Sequence, residues 1–209
     1  MAEWKLFEGD VADVSTFAFH EHRERAPHLE QGVHQGRLRL AADFVREAVD
    51  RIETRITAPC EVIDLGCGDG GLLSLISRLP WVKAYGYDFQ PSNEQGWRDR
   101  NVTGVLANFV TDFDTVIPTA DIFVMTEVLE HLTDPHRFVR RIRERGDNVQ
   151  LVASSPFTEH AGSHDACHAW AWDQDGYGEL MRQAGFSVER HETVGMFQVI
   201  HAVARKSVL

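Results

Sequence analysis

The chain has 209 residues and carries 32 Asp and Glu against 21 Lys and Arg, a formal charge of −11; one domain of this length buries a core without staples, and the acidic balance argues against capture of a long polyanion. Cys60, Cys67 and Cys167 are odd in number with no C-x-x-C pair, which speaks against a disulfide framework or zinc ribbon and for a reducing, cytoplasmic setting. The opening "MAEWKLFEGDVADVS" has neither a basic n-region nor an apolar h-region, and no later apolar run is long enough for a bilayer, so no membrane partner is expected.

Residues 1–57 read as an N-terminal helical and lid segment packed on the core, and 58–209 as one α/β unit. The first 35 residues are irregular, with His20, His22, His28 and His34 among charges and the helix-hostile Pro27. "GRLRLAADFVREAVDRIETRI" then places Leu38, Leu40, Phe44, Val45, Ala48, Val49 and Ile52 on one helical stripe. From "CEVIDLG" onward short apolar runs alternate with amphipathic stretches, the pattern of a parallel sheet covered by helices. Strands are expected near 61–65, 82–87, 103–107, 120–125 and 149–154. "GLLSLISRL" and "DPHRFVRRIRE" have helical periodicity, and "DQDGYGELMRQAGF" reads as a helix capped by Asp173 and ended at Gly185. The arginines of "HRFVRRIRERG" read as a solvated helix face. "FSVERHETVG" and "MFQVIHAVARK" suggest an antiparallel hairpin around Gly195, so the fold class expected is α/β, a doubly wound Rossmann-like sheet with an antiparallel tail.

"EVIDLGCGDGGLL" sets Gly66, Gly68, Gly70 and Gly71 between the first strand of this sheet and its helix, where backbone can approach a ligand. Gly66, Gly68 and Gly71 also satisfy the G-x-G-x-x-G of dinucleotide sites, so glycines alone do not choose the ligand. Asp64 argues against a pyrophosphate, which a carboxylate repels, and for a ligand bearing an ammonium or sulfonium. Asp88, ending the next strand, can accept both hydroxyls of a ribose, with Phe89 following where an adenine could rest.

"DLGCGDG", "YGYDFQ" and "ADIFVMTEVLEHLTDP", in that order and spacing, resemble motifs of the class I S-adenosylmethionine-dependent methyltransferases. The resemblance covers roughly residues 37–209 and implies a seven-stranded sheet with a reversed last strand. It implies S-adenosyl-L-methionine as cofactor, with Asp64 and the loop Gly66, Cys67, Gly68 and Gly70 at the methionine portion and Asp88 on the ribose. Asn108 and Phe109 fall at the adenine, Thr126 and Glu127 beside the methionine, and Arg37 is similar to an arginine that some members place on the cofactor carboxylate, a role suited to a bidentate guanidinium.

"TEVLEHL" puts Glu127, Glu130 and His131 just past the fourth strand, where a helical turn would bring Glu127 onto one face with the other two. This string is similar to those of the quinone-biosynthesis O-methyltransferases and of the enzymes that methylate the terminal 2′-hydroxyl of small RNAs. The second resemblance implies a divalent cation, magnesium or manganese, held by Glu127, Glu130, His131 and His168. Without a metal, His131, His164 or His168 is the candidate general base, since an imidazole with a pKa near ~6.5 suits proton removal at neutral pH. Trp170 and Trp172 either line the substrate pocket, favouring a cationic sulfonium, or anchor the loop as core plugs. The expected function is methyl transfer to an oxygen or nitrogen of a small molecule or sugar. Alternatives are metal-assisted methylation of an RNA end and a catalytically silent binding subunit of the same fold; a nicotinamide-dependent oxidoreductase ranks last.

Overall fold

The structure is a computed structural model that describes residues 2–7, 22–53 and 58–204. The expectations placed on His20 and on the remainder of residues 8–21, 54–57 and 205–209 lie outside the described residues. In chain order the elements are β1 (Glu3–Lys5), α1 (Gly32–Glu53), β2 (Cys60–Leu65), α2 (Gly71–Ile76), β3 (Val82–Asp88), α3 (Glu94–Arg100), β4 (Gly104–Leu106), α4 (Phe113–Val116) and β5 (Ile122–Thr126). They continue with α5 (Pro135–Arg143), β6 (Gln150–Pro156), β7 (Trp170–Trp172), α6 (Gln174–Gln183), β8 (Phe186–Val194) and β9 (Phe197–Ala204).

Seven strands form one sheet in the order β4-β3-β2-β5-β6-β9-β8. The first five are parallel, and β9 enters antiparallel between β6 and β8. This is the doubly wound sheet with a reversed last strand that the sequence implies. β2 lies between β3 and β5, so both its edges are paired, and all of its residues but Glu61 are buried.

Alternation along each strand sorts side chains into two cores. Val62, Ile122, Val124, Val152 and Val199 face α1 and α2, packing with Leu38, Phe44, Val45, Ala48 and Val49. Ile63, Leu65, Phe123, Met125, Leu151 and Ile200 face the other layer, where Phe138, Val139, Ile142, Tyr177, Leu180 and Met181 come from α5 and α6. The expected stripe on α1 is the buried one, except that Leu40 and Ile52 are only half-buried while Ala41 and Ala42 join the core.

The local signals act as expected. Asp134 caps α5, its side chain accepting from the Arg137 N–H with Pro135 at the first helical position. Asp173 caps α6 by accepting from the Gly176 N–H, and Gly185, at φ +93°, follows its end. Gly195, at φ +61°, turns the hairpin that pairs Val194 with Phe197. On α5, Arg137 and Arg140 are exposed as expected of a solvated face, whereas Arg141, with Arg145 just past the helix, binds Asp114 and covers the Phe113 ring.

One element was not foreseen. Glu3–Lys5 pairs antiparallel with Trp170–Trp172, a two-stranded sheet that ties the chain's start to the loop before α6. Glu3 Oε2 accepts from Trp172 Nε1–H at 2.6 Å and lies 2.8 Å from His136 Nε2. No helix among the described residues is long and apolar enough to cross a membrane.

Candidate active site

The loop after β2 is set by its glycines. Gly66 has φ +74°, and a Cβ there would lie 2.5 Å from Val128 Cγ2, so only glycine fits. Its N–H donates to the Tyr87 carbonyl at 2.8 Å. Gly68, at φ +53°, is different, because an added Cβ would meet nothing within 4 Å. Its N–H donates to Asp88 Oδ2 at 2.9 Å, and its carbonyl accepts from Trp97 Nε1–H at 2.7 Å. Asp88 Oδ1 accepts from the Gln90 N–H at 2.9 Å. Burial raises the Asp88 carboxyl from its ordinary range, and these backbone donors oppose the rise. Gly70, at φ +81°, packs toward Val102 and Trp97 and serves the turn.

Next to this loop lies a buried charge group. Asp64 is 1% exposed, and among the described residues neither of its oxygens has a hydrogen-bond partner. Burial, reinforced by the charge of Asp88 and opposed by Arg37, pushes its carboxyl up to about 7. Arg37 is also 1% exposed, with its guanidinium 5.1 Å from the Phe197 ring. Its polar neighbours are distant: Ser154 Oγ and His34 Nδ1 at 3.5 Å, and Glu127 Oε1 3.9 Å from Nε, which makes no hydrogen bond. Glu127 Oε1 accepts from Ser154 Oγ–H at 2.8 Å.

A cavity of about 890 Å³ runs over both features. Its walls include Arg37, Gly66, Cys67, Gly68, Asp88, Phe89, Asn108, Phe109, Thr126 and Glu127, together with His131, His164 and His168. Of the residues expected at the site, Asp64, Gly70 and Glu130 do not line it.

The helical turn expected over "TEVLEHL" is corrected. Glu127 has φ +58°, a left-handed residue that cannot belong to a right-handed turn, and only Leu129–His131 form a short 3-10 turn. Glu130 therefore points inward. It is 0% exposed, neither oxygen has a hydrogen-bond partner among the described residues, and burial, with the charge of Glu127, holds its carboxyl well above the usual range. The four residues of the expected cation set do not converge. Among the described residues, the donor atoms that come within 4.8 Å of one another are those of His131, Cys167 and His168. Burial pushes the Cys167 thiol up to about 12, so it stays protonated at neutral pH.

His131 and His168 face each other with ring centroids 4.7 Å apart. A carbonyl or carboxylate only accepts, so His131 Nδ1–H donates to the Cys167 carbonyl at 3.1 Å and His168 Nδ1–H donates to Glu159 Oε2 at 2.6 Å. His164 is exposed, at the rim, its Nδ1–H donating to the Asp165 carbonyl at 2.8 Å. Trp170 and Trp172 are stacked with planes 6° apart, Trp172 is fully buried, and neither lines the cavity, so they anchor the loop.

Glu159 and Asp69 line the cavity unrecognised in the sequence, whereas His28 and His34 belong to the segment expected to act as a lid. Glu159 follows β6 in a stretch that is irregular and rich in polar side chains, and nothing local marks it as a partner of a histidine nine positions on. His28 and His34, with rings 4.4 Å apart, reach the cavity from the N-terminal side, and burial lowers the His28 imidazole to about 4. Asp69 is 3% exposed and binds Arg25 and Arg100, which ties the stretch from Arg23 to His28 down along the cavity.

This architecture is shared. A Burkholderia thailandensis O-methyltransferase family protein superposes with a TM-score of 0.64 at 14% identity, covering 84% of this chain and 57% of its own, so this chain spans just over half its length. Magnesium protoporphyrin IX methyltransferase from Synechocystis PCC 6803, with bound S-adenosylmethionine, gives 0.59 at 15% identity, with 94% and 97% covered. The B. thailandensis 1,6-didemethyltoxoflavin-N1-methyltransferase, bound to its substrate and S-adenosylhomocysteine, gives 0.57 at 17%, with 88% and 92% covered. No curated protein matches the sequence. The fold is thus that of the class I S-adenosylmethionine-dependent methyltransferases. Within that class the chain belongs to the family described as "Methyltransferase domain", which matches residues 33–194.

Proposed function

We propose that the chain transfers a methyl group from S-adenosylmethionine to an oxygen or nitrogen of a small molecule or sugar. One observation carries the reading: a single cavity joins the Gly68–Asp88 pair, the buried Arg37 and the His131–His168 pair. The residues fit the cofactor at both ends. Gly68 leaves open space where any side chain would intrude, and Asp88 presents a carboxylate able to accept from two hydroxyls. Asn108, Phe109 and Phe89 would flank the adenine. Arg37, whose Nε makes no hydrogen bond among the described residues and whose other contacts are long, suits a bidentate grip on the amino-acid carboxylate. Glu127 and Thr126 would meet the ammonium, with Asp64 adding charge from beneath the loop.

Bound there, the cofactor supplies an electrophilic methyl on a sulfonium. The chain's own part is to hold the acceptor in line, exclude bulk water, and take a proton where the acceptor must lose one. Imidazoles at His131, His168 and His164 line the same cavity and serve as base candidates.

Titration calorimetry tests the cofactor. S-adenosylmethionine and S-adenosylhomocysteine should bind one per chain and NAD should not; binding of NAD alone would sink the proposal. A second reading, metal-assisted methylation, draws support from the His131, Cys167 and His168 donors within 4.8 Å. Metal analysis with activity before and after chelation separates the two, since the metal-free reading expects an unaffected enzyme.

A further inference from the structure

We propose that Glu159 and His168 form a carboxylate–imidazole dyad that removes the proton of a hydroxyl acceptor, which makes the substrate an alcohol or phenol rather than an amine. The inference rests on the methyl-transfer reading and narrows it. Glu159 Oε2 accepts from His168 Nδ1–H at 2.6 Å, a short, charge-assisted bond, with side chains only 16% and 11% exposed. That bond places the ring hydrogen on Nδ1 and the lone pair on Nε2, on a ring that lines the cavity. The carboxylate is itself fixed, because its other oxygen, Oε1, accepts from the Asp165 N–H at 3.2 Å. The ring also has its edge or face against His131, 4.7 Å away. Nucleophile activation by an oriented base has this build: the base contacts the nucleophile and a third group holds the base's tautomer.

The chemistry selects hydroxyl. A neutral amine attacks with its own lone pair and can shed its proton to water afterwards, so it gains little from a tautomer-locked imidazole. An alcohol or phenol oxygen becomes a cationic, strongly acidic species unless its proton leaves as the bond forms. In the proposed step the acceptor oxygen forms a bond to the methyl carbon while the carbon–sulfur bond breaks, its electron pair remaining on sulfur as a neutral thioether. The hydroxyl proton passes to His168 Nε2. The positive charge lost from sulfur thus ends on an imidazolium beside the Glu159 carboxylate, and the proton then leaves to solvent. Glu159 is a positioning residue and His168 the base.

Two measurements on the full chain test this. In ¹⁵N-histidine NMR, neutral His168 should be the Nδ1–H tautomer with a downfield ring proton, and Glu159→Ala should abolish that proton and shift the population to Nε2–H. A wild-type His168 carrying its hydrogen on Nε2, or no change in Glu159→Ala, overturns the dyad. In parallel, extract of the parent organism incubated with methyl-labelled S-adenosylmethionine should yield label on oxygen, read by mass spectrometry of the product. His168→Gln should slow labelling by roughly 10²-fold or more and Glu159→Ala by roughly tenfold or more, both with S-adenosylhomocysteine affinity within about twofold of wild type. Label on nitrogen, or equal rates in the variants, overturns the inference while leaving methyl transfer standing; failure to bind S-adenosylmethionine overturns the parent reading instead.

Discussion

At Asp88 a buried carboxylate stands against the glycine loop. The carboxylate ends β3, the backbone of Gly68 and Gln90 donates to it, and its remaining acceptor capacity faces the cavity. Asp88→Asn keeps the shape and removes the charge, and a hydrogen bond to a charged group is worth about 1.5–3 kcal/mol. S-adenosylhomocysteine should therefore bind roughly tenfold or more weakly by calorimetry, and an unchanged affinity would remove Asp88 from the ribose. Glu130 shows the reverse case. It stands in a string that invites a metal, yet its left-handed neighbour Glu127 turns it inward, where a neutral carboxyl is the form burial favours.

Among the elements, the loop between β2 and α2 separates two demands that look alike in the sequence. Gly66 is needed for packing, since a methyl group would strike Val128, whereas Gly68 is needed for room above the loop. Gly66→Ala combines left-handed strain of about 1–2 kcal/mol with overpacking of about 1–3 kcal/mol and should lower unfolding stability measurably. Gly68→Ala bears the strain alone, so its larger effect should fall on cofactor affinity. Denaturant melts and calorimetry on the two variants give opposite rankings if this division holds, and the same ranking if it does not. The β1–β7 sheet belongs to this scale too: three residue pairs and Glu3's bonds hold the base of the loop that carries Glu159 and His168.

Over the whole molecule, the buried histidines lower stability in acid, against the buried carboxyls of Asp64, Glu127 and Glu130, whose raised values act the other way. His201 in β9 is fully buried, its Nε2–H donating to Gln150 Oε1 at 2.7 Å, and burial, with Arg51 adding, lowers its imidazole to about 4. Above pH ~6.5 it is neutral folded and unfolded alike. Between about 6.5 and 4 the unfolded chain takes a proton that the folded chain refuses, so stability falls as pH falls, by up to about 3 kcal/mol, and the loss ends below about 4. His28 acts in the same direction. His201→Gln cannot titrate and should flatten this acid limb in chemical melts at several pH values; identical slopes would show that His201 is not the group responsible.

What the sequence determined by itself was the period of its elements and the chemistry of its turns. The short apolar runs of β2 and β5, caps at Asp134 and Asp173, and glycines at 66, 68 and 185 are local properties, and local sterics and hydrogen bonding express them wherever the chain folds. The end proposed for the cofactor, from Gly66 to Asp88, is built from the ends of adjacent strands, and its glycine loop and carboxylate were readable for that reason. The acceptor end was not. Whether Glu130 meets a metal or the core, and which acid meets His168, depends on one backbone angle at Glu127 and on a loop tied down by the chain's first residues. Such contacts join segments far apart in sequence with no repeating pattern, so only the packed tertiary structure decides them.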